Sequence, residues 1–188
     1  MGWPIYHSLS PELRGFWLSK YGINGAYVPL AVLPINIEAA LRSLPKLGFA
    51  ITNVALPLKE EAMLSVDYLD RFSERIGAVN IVFVNEDGSL SGTNTDAFGL
   101  MENLKTGAPE WKPSKSSVVV LCAGRAARSD FAALVDVGVP EVCLINRTLS
   151  KAQEVSLSLC RLVSVYGWGA ANDCLSGLLS DTVVTNIA

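Results

Sequence analysis

The stretch from Ser117 to Asn146 limits the possible folds more than any other part of the chain. SVVVL at 117–121 is a strand-like run of three valines and a leucine, CAGRAAR follows at 122–128, a helical pattern continues to about Val137, and VCLIN at 142–146 returns as a second strand-like run. Strands that are apolar at every position are covered on both faces, which is the habit of parallel sheets flanked by helices. Parallel neighbours need a crossover of a dozen residues or more, and the intervening helix supplies it. The segment therefore predicts a βαβ unit, and with it an α/β protein.

The turn inside that unit carries chemistry. In a dinucleotide fold the first strand-to-helix turn reads G-x-G-x-x-G/A, so that the chain turns sharply, a pyrophosphate can approach the backbone, and the helix packs closely. The same places here hold Cys122, Gly124 and Ala127, so two of three fit, and Gly124, Arg125 and Ala126 are the candidate phosphate-contacting residues. About 20 residues further on, NAD users place an acid on the ribose 2′-hydroxyl. This chain has NRT instead: Arg147 can pair with a 2′-phosphate, Asn146 and Thr148 can donate hydrogen bonds, and Lys151 adds positive charge. The plainer reading is a helix cap by Thr148 or Ser150 with Arg147 solvated, and both can hold together. The position relative to the turn favours NADP.

The N-terminal half alternates strands and helices more irregularly. Ser10-Pro11-Glu12 has the look of a helix start, with Leu13, Phe16, Trp17 and Tyr21 as its apolar stripe and Gly22 as its stop. AYVPLAV at 26–32 reads as an edge strand, 36–47 as a helix with Ile37, Leu41 and Leu44 inward, and FAITNVAL at 49–56 as a parallel strand covered on both faces. VNIVFVNEDGSLSG, with Asp87-Gly88 at its middle, reads as a hairpin. A helix over 97–105 precedes TGAPEWKPSKSS, where Gly, Pro and Ser replace periodicity and mark a boundary. The division expected is an N-terminal α/β domain over 1–108 and a partial Rossmann-type domain over 109–188.

Composition excludes several classes. Fifteen basic against 18 acidic residues leave a net charge of -3, too little positive field to hold a nucleic acid. No apolar run reaches the roughly 20 residues that cross a bilayer, and the N-terminus lacks a basic region followed by a long apolar one, so a cytoplasmic protein without a membrane partner is expected. Four cysteines without C-x-x-C spacing and a single histidine make a metal site improbable, and the thiols read as small hydrophobes.

Polar residues at strand ends remain: Ser8, Ser10, Asn53, Lys59, Asn80 and the NTD of 94–96. Where strands of an open α/β sheet end side by side, such groups line the ligand crevice. Taken singly, Ser10 and Asp96 read as helix caps, Asn94 as a turn former and Lys59 as a solvated helix start. Taken together, hydroxyls, carboxamides, an ammonium and a carboxylate suit a small polyhydroxylated carboxylic acid.

GWPIYHSLSP, NVALPLK, IGAVN, GTNTDAFG, CAGRAAR and NRTLSKA, in this order and spacing, resemble the shikimate dehydrogenase family over nearly all of Gly2 to Ala188. The resemblance implies a substrate-binding domain followed by an NADP-binding domain, and NADPH-dependent reduction of 3-dehydroshikimate to shikimate in aromatic amino-acid biosynthesis. It implies Lys59 and Asp96 as the catalytic pair and Ser8, Ser10 and Asn80 as substrate-binding residues. His7 reads as a structural residue of its loop rather than the acid or base.

The chain departs from the family pattern at Ala55 and Ile81, where threonines are usual, at Arg14-Gly15, where a His-Asn pair is usual, and at Cys122 and Arg125, where glycines are usual. Both chain ends look cut against the family pattern, so uncovered sheet edges and self-association as a homodimer are expected. Two alternatives follow from these departures: a catalytically degenerate homologue serving as a ligand-binding or interaction module, and a quinate/shikimate dehydrogenase using NAD.

Overall fold

The computed structural model describes residues 1–115, 117–121, 127–159, 163–171 and 183–186. The chain forms two compact units, Met1–Asn94 and Thr95–Ala188. The first contains α1 (Ser10–Lys20), α2 (Ile37–Ser43), β1 (Ile51–Asn53), α3 (Lys59–Leu64), β2 (Tyr68–Leu69), α4 (Arg71–Ile76), β3 (Ile81–Val84) and β4 (Leu90–Thr93). The second contains α5 (Asp96–Gly107), β5 (Val118–Leu121), α6 (Ala127–Asp136), β6 (Val142–Asn146), α7 (Leu149–Leu159), β7 (Val163–Gly167) and β8 (Val183–Asn186).

In the first unit the sheet runs β1-β3-β4-β2, with β3 antiparallel to both β1 and β4 and with β2 parallel to β4. The β3–β4 hairpin forms as its Asp-Gly signal predicts. Asp87 accepts the N–H of Ser89 at 2.9 Å, and Gly88 takes φ +82°, a left-handed value that a side chain would strain. Leu41 and Leu44 from the α2 region, Leu58 and Ala62 at α3, and Val79, Val82 and Leu90 bury into one core. Each fully buried leucine stabilises the unit by about 1.5–3 kcal/mol. Asp70 caps α4 by accepting the N–H of Ser73 at 2.7 Å.

Three expectations for this unit need correction. The 26–32 segment is not a strand; among the described residues it pairs through the single bridge of Ala31 to Gly2, in parallel. β1 is three residues long and its partner β3 is antiparallel; it sits at one end of the described strand order, which leaves Ile51 48% exposed. Helix α1 forms and ends at a left-handed Gly22, whose N–H bonds the carbonyl of Ser19 while Ile23 bonds that of Leu18. Yet none of its residues is buried, and Leu13, Phe16 and Tyr21 are all more than half exposed. Periodicity locates an apolar stripe but does not say that anything covers it.

In the second unit all four strands are parallel, in the order β7-β6-β5-β8. Counted along the unit this is 3-2-1-4, the first two thirds of the doubly wound dinucleotide-binding order. Val118, Val120 and Leu144 pack against Phe131 and Leu134 of α6 and Ala152 and Val155 of α7, while Val119, Cys143 and Ile145 form a second cluster with Tyr166 and Ala171. The alternation along β5 shows why VVVL is apolar throughout: both faces are covered. Helix α5 packs on α6. The fold class is thus α/β, a mixed-sheet unit followed by a partial parallel sheet consistent with the start of a Rossmann domain.

Candidate functional site

One end of the first unit's sheet collects the polar residues. β1 ends at Asn53, opposite Ile81, and the next residue pair is closed by Val54 N–H donating to the carbonyl of Asn80 at 2.8 Å. Asn80 in turn donates its N–H to the carbonyl of Thr93 at 3.0 Å, where β4 ends. Lys59 opens α3, and its own carbonyl accepts the N–H of Val79 at 3.0 Å, which fixes its Cα one residue from Asn80. An antiparallel hairpin places the start of one strand beside the end of the next, so Asn80 and Thr93 meet although 12 residues separate them. Lys59, Asn53 and Asn80 are each partly exposed, and Asn94 is buried with its carboxamide donating to the carbonyl of Ala78 at 3.3 Å.

The N-terminal loop is tied to the same end. The carbonyl of Met1 accepts the N–H of Ala55 at 2.9 Å, and a methyl placed on Gly2 would come within 3.2 Å of the Ala55 methyl, so the backbone passes close to that residue. From there the loop reaches Ser8, whose hydroxyl accepts the N–H of Ser10 at 3.3 Å as α1 begins. Leu9, not Ser10, occupies the cap position. His7 is exposed, with its ring edge-on to Tyr6. Asp96 is the first residue of α5, in the second unit, and the expected cap position falls on Thr95.

Asn53 belongs with these residues more firmly than its sequence position suggests. Its side-chain oxygen accepts the hydroxyl of Tyr27 at 3.2 Å, which orients the carboxamide. Nothing local in AYVPLAV signals that Tyr27 reaches a strand 26 residues away.

In the second unit the C-terminal ends of β5, β6 and β8 lie level, Leu121 opposite Ile145 on one side and Asn186 on the other. The strand order reverses between β5 and β8, which is where open α/β sheets take ligands. Asn146 closes β6 and donates from its carboxamide to the carbonyl of Thr148 at 2.7 Å, forming a tight turn into α7. Arg147, Thr148 and Lys151 are exposed along that turn and the first turn of α7. Two cations, a hydroxyl and a helix start form a donor set suited to a phosphate monoester. Gly124, Arg125 and Ala126, with Cys122, lie outside the described residues. Among the described residues no cluster of His, Cys, Asp and Glu could hold a metal ion, and no helix is long and apolar enough to cross a membrane.

Residues 1–82 match the family model described as the shikimate dehydrogenase substrate binding domain. The chain is 49% identical over 177 residues to the shikimate dehydrogenase (NADP(+)) of Paramagnetospirillum magneticum, a match covering 94% of this chain and 64% of that protein. It thus spans a little under two thirds of that relative's length. Among solved structures, shikimate dehydrogenase from Aquifex aeolicus superposes with a TM-score of 0.88 at 30% identity, covering 100% of this chain and 66% of that one. The Listeria monocytogenes shikimate 5-dehydrogenase, solved in complex with shikimate and NAD, superposes with a TM-score of 0.87 at 25% identity over 100% of this chain and 66% of that one.

Proposed function

The chain belongs to the shikimate dehydrogenase family, and on that premise we propose that it catalyses the NADPH-dependent reduction of 3-dehydroshikimate to shikimate. The observation that carries this reading is the gathering of Lys59, Asn80 and Asn53 at one sheet end, tied through Ala55 to the loop that bears Ser8 and Ser10. In the proposed division of labour, residues 1–108 hold the substrate and residues 109–188 hold NADP.

NADPH, when bound, supplies a hydride to the carbonyl carbon of the substrate. The developing alkoxide then needs a proton, and the ammonium of Lys59 donates it; in the reverse direction the neutral amine takes the proton from the hydroxyl. Asp96 accepts a hydrogen bond from a neighbouring substrate hydroxyl. Asn80 and the hydroxyls of Ser8 and Ser10 bind the remaining polar groups, which a planar apolar site would leave unpaired. Arg147, with Asn146, Thr148 and Lys151, binds the 2′-phosphate, and Gly124, Arg125 and Ala126 bind the pyrophosphate. No side chain in NRT offers a carboxylate to a ribose 2′-hydroxyl, which favours NADP over NAD. Self-association as a homodimer, and location in the cytoplasm, are parts of the same reading; sedimentation across a concentration series measures the first.

The test is nicotinamide absorbance with shikimate or quinate as substrate and NADP or NAD as acceptor. Turnover is expected with the shikimate–NADP pair above the other three. Absence of turnover with every pair contradicts the proposal. A second reading has its own support: Ala55 and Ile81 stand where the family pattern has threonine, Ala55 two residues past β1 and Ile81 as the first residue of β3, next to Asn80. A catalytically silent ligand-binding relative would show heat of binding with shikimate in calorimetry and no turnover.

A further inference from the structure

Strands β6 and β7 end level with each other. Their last pair is Asn146 opposite Gly167, and one residue beyond each stand Arg147 and Trp168. Arg147 leads into α7 through the turn that the Asn146 carboxamide closes on the carbonyl of Thr148. Trp168 opens a single 3-10 turn, Trp168–Ala170, and its carbonyl accepts the N–H of Ala171. Neighbouring strands lie about 4.8 Å apart, so a guanidinium and an indole leave the same sheet end roughly one strand spacing from each other.

Trp168 is unlike the strand it follows. Val163 and Val165 pack with the side chains of α6 and α7, and Tyr166 packs with Cys143 and Ile145, so β7 commits its apolar groups to the two covered faces. The indole of Trp168 is instead 58% exposed and makes no ring contact or hydrogen bond among the described residues. Its flanking glycines have no backbone reason to be glycine: neither takes a positive φ, and a Cβ on Gly167 or Gly169 would meet nothing within 4 Å. Their effect is to leave the indole open to approach. One exposed aromatic is ordinary by itself. Beside the exposed Arg147, Thr148 and Lys151 it adds a flat π surface to a set of anion donors. In a 2′-phosphorylated adenosine the phosphate and the purine sit on adjacent ribose carbons, so a phosphate held at Arg147 brings the base to the end of the next strand.

We propose that the indole of Trp168 is the face on which the adenine base of the dinucleotide stacks, beside the Arg147 that holds the 2′-phosphate of the same ribose. The inference rests on the reading that the second unit binds a dinucleotide, and it assigns the base a residue of its own. Stacking is indifferent to the 2′-phosphate. Trp168 therefore contributes affinity for any adenine nucleotide, whereas Arg147 discriminates between NADP and NAD.

The test is equilibrium dialysis of the full chain against adenosine 2′,5′-bisphosphate and against 5′-AMP. Trp168→Leu is expected to weaken both by the same factor, about ten-fold, as loss of a base–aromatic stack does, while Trp168→Phe keeps most of the affinity. Arg147→Gln is expected to weaken the bisphosphate alone. Native binding with no loss in Trp168→Leu would overturn the proposal and leave the dinucleotide reading standing. A loss confined to the bisphosphate would overturn it by placing Trp168 at the phosphate. A phenylalanine variant as weak as the leucine one would overturn it by showing that the position serves the fold and not stacking. Binding of neither nucleotide to the native chain would sink the dinucleotide reading itself, and the proposal with it.

Discussion

At the scale of single residues, the polar groups divide into those that hold the fold and those proposed to meet ligands. Asp67 is of the first kind: one guanidinium nitrogen of Arg42 donates to both its oxygens at 2.7 Å and the N–H of Leu90 donates at 2.8 Å, joining α2 to β4. The Arg42 hydrogen bond first, and the Leu90 N–H second, hold this carboxyl below its ordinary value of 3.8. A depressed carboxylate favours the folded state above its unfolded pKa, and that contribution fades as pH falls through the lower folded value. Thermal melts are therefore expected to lose stability below about pH 4 more steeply in the native chain than in Asp67→Asn. Parallel pH profiles of the two would remove Asp67 from the account. Arg147 is of the second kind. Removing its charge in Arg147→Gln is expected to raise KM for NADP about ten- to a hundred-fold, as loss of a charge-assisted bond does, with little change for NAD. An equal change for both cofactors would mean that the guanidinium does not meet the 2′-phosphate.

Elements were legible in the sequence where one local signal decided them. The β-branched run at 118–121 with its following helix, the Asp-Gly hairpin, and the inward Ile37, Leu41 and Leu44 all appear as their periodicity predicts. What could not be read was pairing. The run at 49–56 looks like a central parallel strand, yet only 51–53 is a strand, antiparallel to β3, because composition reports burial and not the identity of a neighbour. The same limit applies to α1, whose stripe is real and uncovered. For the candidate site, Lys59 and Asn80 were recognisable as polar residues at apolar run ends, whereas the bond from Tyr27 to Asn53 spans 26 residues and has no local signature. Element packing also makes a prediction at Gly92, in the middle of β4: a Cβ there would meet Val79 Cγ1 at 2.8 Å and Val66 Cγ2 at 3.1 Å. Gly92→Ala should cost about 1–3 kcal/mol by overpacking, read as a lowered Tm. An unchanged melt would show that the valines move aside freely.

On the scale of the whole molecule, the family membership and the two compact units give the proposal its shape, with Lys59 in one unit and Asp96 in the other. Lys59 and Asp96 are proposed to serve the same proton transfer at the substrate oxygen. Groups that act as a unit lose their effect together, so their substitutions do not multiply. The measurement is kcat/KM for shikimate oxidation in the native chain, Lys59→Ala, Asp96→Asn and the double variant. A loss of about 10²- to 10⁴-fold is expected for Lys59→Ala, the scale of general acid–base catalysis, and a double variant no slower than the slower single one. Losses that multiply, or a Lys59→Ala chain as fast as the native one, would contradict it.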